Sequence, residues 1–232
     1  MTSLGRVVSV LAGRAVPYTR PGTRSAIAKC AVSGPVAVGI GGIEGDEQGD
    51  ARVHGGRDKA VHHYAFDHYA PWRRELGDLP VLGAPGAFGE NLSTTGISEA
   101  DICLADRVRV GGVVLEVTQS RQPCWKLNDR FGQAGMARRV QRTGRTGWYY
   151  RVIEPGAMRA GDEVILVARP HAGWSLARLI GTLYHRTLDA GVLREMLTLP
   201  LTPSWLKLVN GRLARRTVED WTARIDGPAK QD

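Results

Sequence analysis

The stretch Arg107-Val108-Arg109-Val110-Gly111-Gly112-Val113-Val114-Leu115-Glu116-Val117 alternates in polarity on both sides of a glycine pair. Two glycines between alternating runs make the two-residue loop of a β-hairpin, because glycine accepts the positive φ of turns whose twist matches the strands. The register that follows sets Val110 opposite Val113, Val108 opposite Leu115 and Arg107 opposite Glu116. One face is then wholly apolar and the other largely charged, so the hairpin is expected to be half-buried. Its second strand leads directly into Ser120-Arg121-Gln122-Pro123-Cys124-Trp125-Lys126-Leu127. Pro123 restricts the backbone and disfavours helix at Gln122. A rigid element therefore delivers the Cys124 thiol between two cations, which favour the thiolate. On these residues alone a small buried apolar role is the commoner one for a free cysteine.

Outward from the hairpin, short β-rich runs recur at 4–11, 27–32, 36–40 (after the turn Ser33-Gly34-Pro35), 59–64, 148–152 and 164–167. A helix is expected with Tyr69, Trp72, Arg73 and Leu76 on one face and Asp67 as its N-cap. Further short helices are expected over 125–131 and 136–141. Many short strands with few short helices suggest a closed or nearly closed β-barrel rather than a doubly wound sheet. Beyond a linker at 169–173 the period becomes helical. Leu176, Leu179, Ile180 and Leu183 form a stripe behind the N-cap Ser175, and Val192, Leu193, Met196 and Leu197 form another behind Asp189. Thr202-Pro203 opens a third helix, with Gly211 as its close. The fold class is thus mainly β with short helices: a β-barrel domain over 1–168, a small three-helix domain over 169–215 and a tail over 216–232. Three short helices are marginal alone, so they are expected to pack on the barrel or on a second subunit, which makes a homodimer a candidate assembly.

The 232 residues carry a net charge of +8 and a pI near 9.8, which points to anionic partners such as nucleic acid, phosphates or acidic cofactors. Basic residues group only at Arg138-Arg139, Arg142, Arg145 and at Arg212, Arg215, Arg216; without a block of five like charges, nucleic acid is disfavoured as a partner. The three cysteines (Cys30, Cys103, Cys124) form no CxxC. That count argues against a disulfide framework, suits a reducing compartment and is too low for a cysteine-ligated iron–sulfur cluster. Cys30 and Cys103 sit in apolar runs and are expected in the core. The longest uncharged run, 30–43, holds four glycines and a proline in 14 residues, too short and broken to span a membrane. The expectation is a cytoplasmic protein with no membrane partner.

His54-Gly55-Gly56-Arg57-Asp58-Lys59 combines anion-binding side chains with glycines that let backbone amides approach a ligand. It matches no nucleotide fingerprint, and a glycine turn with solvated charges accounts for it equally. Phe88-Gly89-Glu90-Asn91-Leu92 is a second polar cluster, which a turn with Asn91 bonding its own backbone also explains. His62, His63 and His68 match no zinc spacing. A Cys124–His54–Asp58 hydrolytic arrangement has no local support.

Taken in order, Gly42-Ile43-Glu44-Gly45-Asp46, Val53-His54-Gly55-Gly56 with Asp58-Lys59-Ala60-Val61, Gly89-Glu90-Asn91-Leu92, Gln122-Pro123-Cys124-Trp125-Lys126-Leu127 and Thr146-Gly147-Trp148-Tyr149-Tyr150-Arg151-Val152 resemble MOSC-domain proteins of the YiiM type. MOSC denotes the C-terminal domain of molybdenum cofactor sulfurase. The resemblance covers about residues 1–168, and the helical remainder resembles the family's three-helix appendix. It implies a MOSC β-barrel that binds molybdenum cofactor (molybdopterin), with Cys124 as metal ligand and catalytic residue. It further implies an oxidoreductase that detoxifies N-hydroxylated small molecules, such as hydroxylamino purines, with electrons from a separate flavoprotein. The implied cofactor-binding set is His54, Gly55, Gly56, Asp58, Lys59, Gly89, Glu90, Asn91, Arg121, Gln122, Trp125 and Lys126. Of these, Arg121, Lys126, Lys59 and the His54-Gly55-Gly56 amides suit the cofactor phosphate; Glu90 and Asn91 suit the pterin, with Arg151 a further candidate. Arg57 departs from the family, which often has proline there. Two alternatives stay open: a carrier of molybdenum cofactor or sulfur without reductase activity, and a basic barrel that binds single-stranded nucleic acid through Trp148, Tyr149 and Tyr150.

Overall fold

The computed structural model describes residues 2–49 and 55–228. The long opening strand β1 (Thr2–Ala12) precedes five short ones: β2 (Val16–Pro17), β3 (Arg24–Ser25), β4 (Cys30–Ala31), β5 (Val36–Gly39) and β6 (Gly42–Ile43). Then come β7 (Val61–Ala65), α1 (Tyr69–Leu76), β8 (Leu92–Thr95), the hairpin strands β9 (Arg107–Val110) and β10 (Val113–Ser120), and helices α2 (Lys126–Phe131) and α3 (Met136–Thr143). Strands β11 (Trp148–Glu154), β12 (Gly156–Met158) and β13 (Glu163–Ala168) follow, and helices α4 (Leu176–Tyr184), α5 (Ala190–Met196), α6 (Pro203–Arg215) and α7 (Thr222–Ile225) complete the chain.

The order β13-β9-β10-β11-β7-β8-β1, with β1 also paired to β13, closes seven strands into a barrel. β1 makes closure possible by its length: residues 2–6 pair with β13 and residues 6–10 with β8. A closed ring leaves no open strand edge to recruit other chains. The hairpin holds the register its sequence dictates, with Val110 opposite Val113, Val108 opposite Leu115 and Arg107 opposite Glu116. Its polar–apolar alternation stops after Glu116. Thr118, Gln119 and Ser120 are all buried, because this end of β10 runs beneath other elements instead of facing water.

Two cores result. The first fills the barrel with Val108, Leu115, Trp148 and Tyr150 and continues into Leu176, Leu179, Leu183, Met196 and Trp205. The C-terminal helices therefore pack on the barrel of the same chain, each large side chain contributing roughly 1.5–3 kcal/mol when fully withdrawn from water. The second core, beside the barrel, joins Tyr64, Trp72, Phe88, Phe131, Val140 and Ile225; Tyr64 and Phe88 stack at 4.0 Å between ring centres.

Ser175 and Asp189 cap their helices, accepting from the amides of Arg178 at 3.2 Å and Val192 at 2.9 Å. Several expectations are corrected. Gly211 does not close the third helix, which runs to Arg215 and ends at Arg216 with φ 52°. The extra turn delivers Arg212, a buried side chain that bonds the Leu183 carbonyl (2.6 Å) and Glu219 (2.9 Å), and that tertiary gain outweighs glycine's propensity to end a helix. Arg212 is accordingly no part of an exposed basic patch. Asp67 does not cap α1: it lies in a 3-10 turn (Phe66–His68) and accepts from the Gly96 amide at 2.7 Å. Cys30 is exposed, not in the core, because β4 pairs only with the far end of β1; Cys103 is buried as expected. In the linker, Arg169 reaches back to Asp106 at 2.7 Å, whose side chain is wholly buried. The segment after α6 carries α7, which returns to the Cys124 loop. No helix among the described residues is long and apolar enough to cross a membrane.

Candidate active site

Past β10 the chain is tied on three sides. The Arg121 amide donates to the Gly147 carbonyl at 2.9 Å, just before β11. Its carbonyl accepts from the Tyr184 hydroxyl of α4 at 2.9 Å. From α7, Arg224 donates to the Pro123 carbonyl, and its own carbonyl accepts from the Trp125 amide at 2.8 Å. The barrel and both flanking helical segments thus set the position of Cys124.

Cys124 stands where a narrow pocket of about 80 Å³ meets a wider cleft of about 600 Å³. Of the residues singled out by sequence, Lys59, Gly89, Asn91, Arg121 and Lys126 line the narrow pocket with the thiol. Gln122 and Trp125 line the wider cleft, where Lys59 and Lys126 recur. Gly55, Gly56, Asp58 and Glu90 line neither. Asp58 instead pairs with Arg151 at 3.0 Å. The buried Glu90 carboxylate takes the amides of Gly86 (2.7 Å) and Phe88 (3.0 Å) and the Tyr69 hydroxyl, so it shapes the loop that carries Gly89. His54 lies outside the described residues.

The narrow pocket is also lined by Lys29, Asp46, His62 and Tyr149, none of which is in the expected cofactor-binding set. Asp46 belongs to one of the quoted motifs, which was a usable signal; Lys29 carries none. The two form a buried ion pair, and Asp46 also accepts from the Asn91 side chain and the Gly13 amide, each at 2.8 Å. Burial lowers the Lys29 pKa, with Asp46 opposing. Burial lowers that of Lys59 too, against Asp58 and Cys124.

His62 and His63 face apart, as alternation along β7 requires. His63 bonds the Tyr150 hydroxyl (3.0 Å) and Thr94 (2.6 Å). His62 Nδ1 lies 3.2 Å from the Gly89 carbonyl. A carbonyl only accepts, so Nδ1 carries the proton. Burial, then the nearby Arg121, hold the His62 pKa well below the usual range. The ring is therefore neutral, and Nε2 is an acceptor. Among the described residues neither His62 Nε2 nor Arg121 Nη1, both buried, has a hydrogen-bond partner. Burial raises the Tyr149 pKa, and its ring centre lies 4.9 Å from that of His62.

Unpaired buried polar atoms beside a cavity call for a ligand that supplies both an anion and N–H donors. A cofactor carrying a phosphate and a pterin meets that demand. No cluster of three His, Cys, Asp or Glu suited to a metal exists among the described residues. A metal at Cys124 would have one soft protein donor and would have to bring its other ligands with it, which fits a dithiolene-borne metal.

Known proteins resemble this chain along most of its length. Residues 50–165 match the MOSC domain and residues 174–216 the YiiM-like, 3-alpha helix domain. Protein YiiM of Escherichia coli is 36% identical over 95% of this chain and 98% of its own length. A protein named Reductase from Gibberella moniliformis is 39% identical over 90% of this chain, which spans 37% of that protein. The crystal structure of YiiM from Escherichia coli superposes with a TM-score of 0.78 at 30% identity, covering 95% of this chain and 98% of that one. YiiM from Geobacillus stearothermophilus gives 0.77 at 30% identity, covering 90% and 99%.

Proposed function

Because this chain belongs to the MOSC-domain family of the YiiM type, we propose that it is a molybdenum-cofactor-dependent reductase of N-hydroxylated small molecules such as hydroxylamino purines. The observation that carries the reading is Cys124 at the junction of two cavities, beside Arg121 Nη1 and His62 Nε2, which have no partner among the described residues. The fungal relative named a reductase supports the reaction class. The reaction is R–NHOH + 2e⁻ + 2H⁺ → R–NH₂ + H₂O, in which the N–O bond breaks and the electrons come from a separate reduced flavoprotein. When bound, the molybdenum cofactor would supply the two-electron chemistry at the N–O bond.

The chain's own residues bind and orient. Cys124 gives the sulfur bond to the metal. Arg121, Lys59 and Lys126 receive the cofactor phosphate, since guanidinium and ammonium groups bind phosphate through charge-assisted hydrogen bonds. The His62 Nε2 acceptor would take an N–H of the pterin. The Asn91 side chain shapes the pocket wall: it donates to the Leu11 carbonyl (3.1 Å) and to Asp46 (2.8 Å) and accepts from the His62 amide (3.1 Å), with the Lys29–Asp46 pair holding it. Three cysteines that form no disulfide suit the reducing cytoplasm as its compartment. Cys124→Ala should fold normally yet lose both bound molybdenum, by elemental analysis, and the reduction of 6-hydroxylaminopurine in the presence of a reduced flavoprotein. A molybdenum-replete, active Cys124→Ala protein overturns the reading. A wild-type protein that holds cofactor but reduces no hydroxylamine points to a carrier.

A further inference from the structure

The wider cleft carries more positive charge than a neutral base would need. Its described lining includes Arg24, Lys59, Lys126 and Arg224 and no carboxylate, whereas the narrow pocket includes Asp46 and Glu47. Arg24 and Arg224 form no ion pair with the described residues. Arg24 donates to the Ala15 carbonyl; Arg224 donates to the Pro123 carbonyl and, at 2.6 Å, to the Gln141 side-chain oxygen. The hydrogen-bond partners of both are neutral: the exposed Arg24 has no carboxylate on it, and Arg224 feels the Glu219 carboxylate only at longer range. Arg20 and Lys29, close in sequence to Arg24, sit instead on carboxylates. A cation with no carboxylate on it at the wall of a ligand cleft favours an anionic ligand group.

With Arg121 meeting the cofactor phosphate from the narrow pocket, the arginines of the wide cleft have a different anion to receive. We propose that the substrate is taken in phosphorylated form, as the 5′-monophosphate of an N-hydroxylated nucleoside, with Arg24 and Arg224 receiving the phosphate. This rests on the reductase reading above. A cleft of about 600 Å³ lies in the range of small-ligand sites, roughly 300–1,000 Å³. Arg224 sits on α7, so the C-terminal segment is a specificity element as well as a brace. In atoms and electrons the step is the one already written; the phosphate only anchors.

The test compares 6-hydroxylaminopurine, its ribonucleoside and the ribonucleoside 5′-monophosphate as substrates of the molybdenum-loaded protein with a reduced viologen as electron source. The phosphate should raise kcat/KM at least about tenfold at low salt, as expected for one charge-assisted contact, and the gain should shrink as salt screens it. Arg24→Ala should cut the monophosphate-to-nucleoside ratio about tenfold at wild-type molybdenum content, with partial recovery in Arg24→Lys. Arg24 is the better variant because removing Arg224 also strips the Pro123 carbonyl of its partner. Equal kcat/KM for the three compounds overturns the inference while the reductase reading stands. So does a single-stranded oligonucleotide outcompeting the monophosphate, or loss of molybdenum in Arg24→Ala. If none of the three is reduced, the reductase reading fails, and calorimetric titration of the loaded protein decides the cleft: AMP binding tighter than adenosine supports a phosphate site, and equal binding overturns it.

Discussion

The Tyr184 hydroxyl donates to the Arg121 carbonyl at 2.9 Å, joining the first C-terminal helix to the loop that presents Cys124, 63 residues away in sequence. Both groups are buried, so the carbonyl has no water to fall back on. Tyr184→Phe should cost about 1–2 kcal/mol of stability, read by urea unfolding. Because the carbonyl belongs to the cysteine loop, bound molybdenum should fall in the same variant; a variant that is destabilised but fully loaded would show that the bond braces only the fold.

Arg121 should show the opposite relation between stability and function. Its buried Nη1 has no partner among the described residues, a cost the cofactor-free protein bears. Arg121→Leu should stabilise that form by about 1 kcal/mol and lower its molybdenum content about tenfold. Thermal unfolding of the cofactor-free variant and elemental analysis of the loaded one check the two halves separately.

His63 makes folding pH-dependent. Burial takes its pKa from 6.5 to about 3. The folded value lies below the unfolded one, so the unfolded chain binds the extra proton. The stability His63 contributes is whole above pH 6.5 and is lost as the pH falls towards 3. Between pH 6.5 and 5 the unfolding free energy of His63→Gln should therefore fall less steeply than that of the wild type, by up to about 1.4 kcal/mol per pH unit. His62 pushes in the same direction and supplies the residual slope.

Gly227 holds the C-terminal segment against the site. With φ 71° and an added Cβ falling 2.4 Å from Trp125 Cγ, no side chain fits without displacement. Gly227→Ala should destabilise by about 1–3 kcal/mol and raise amide hydrogen exchange across residues 221–228. Unchanged exchange there would mean that Trp125 yields instead.

The linker is pinned by charge. Arg169→Leu leaves the wholly buried Asp106 carboxylate without its cation and should cost about 3 kcal/mol in thermal or urea unfolding.

Local pattern reached far in this chain. The glycine pair and its flanking alternation gave the hairpin register residue by residue. The apolar stripes and the N-caps at Ser175 and Asp189 gave two of the C-terminal helices. Pro123 and the cations around Cys124 marked the loop that faces the cavities. In each case the cause lies within a few residues of the effect, as turn chemistry, side-chain period or a capping oxygen.

What failed did so where distant partners intervened. Gly211 looks like a helix end until Arg212 is seen bonding the Leu183 carbonyl and Glu219. Glu90 looks like a ligand group until Tyr69 and the amides of Gly86 and Phe88 claim it. Lys29 and His62 carry no sign of the cavity that they line.

The sequence alone determined the barrel-and-helix plan and the loop that carries Cys124 to the two cavities, because strand, turn and cap preferences act over short spans. Tertiary structure alone decided which polar groups face the thiol, through ring closure by β1 and the return of α4 and α7 onto the cysteine loop. In a buried site a polar atom is either taken by a neighbour or left for a ligand, and that neighbour can lie a hundred residues away.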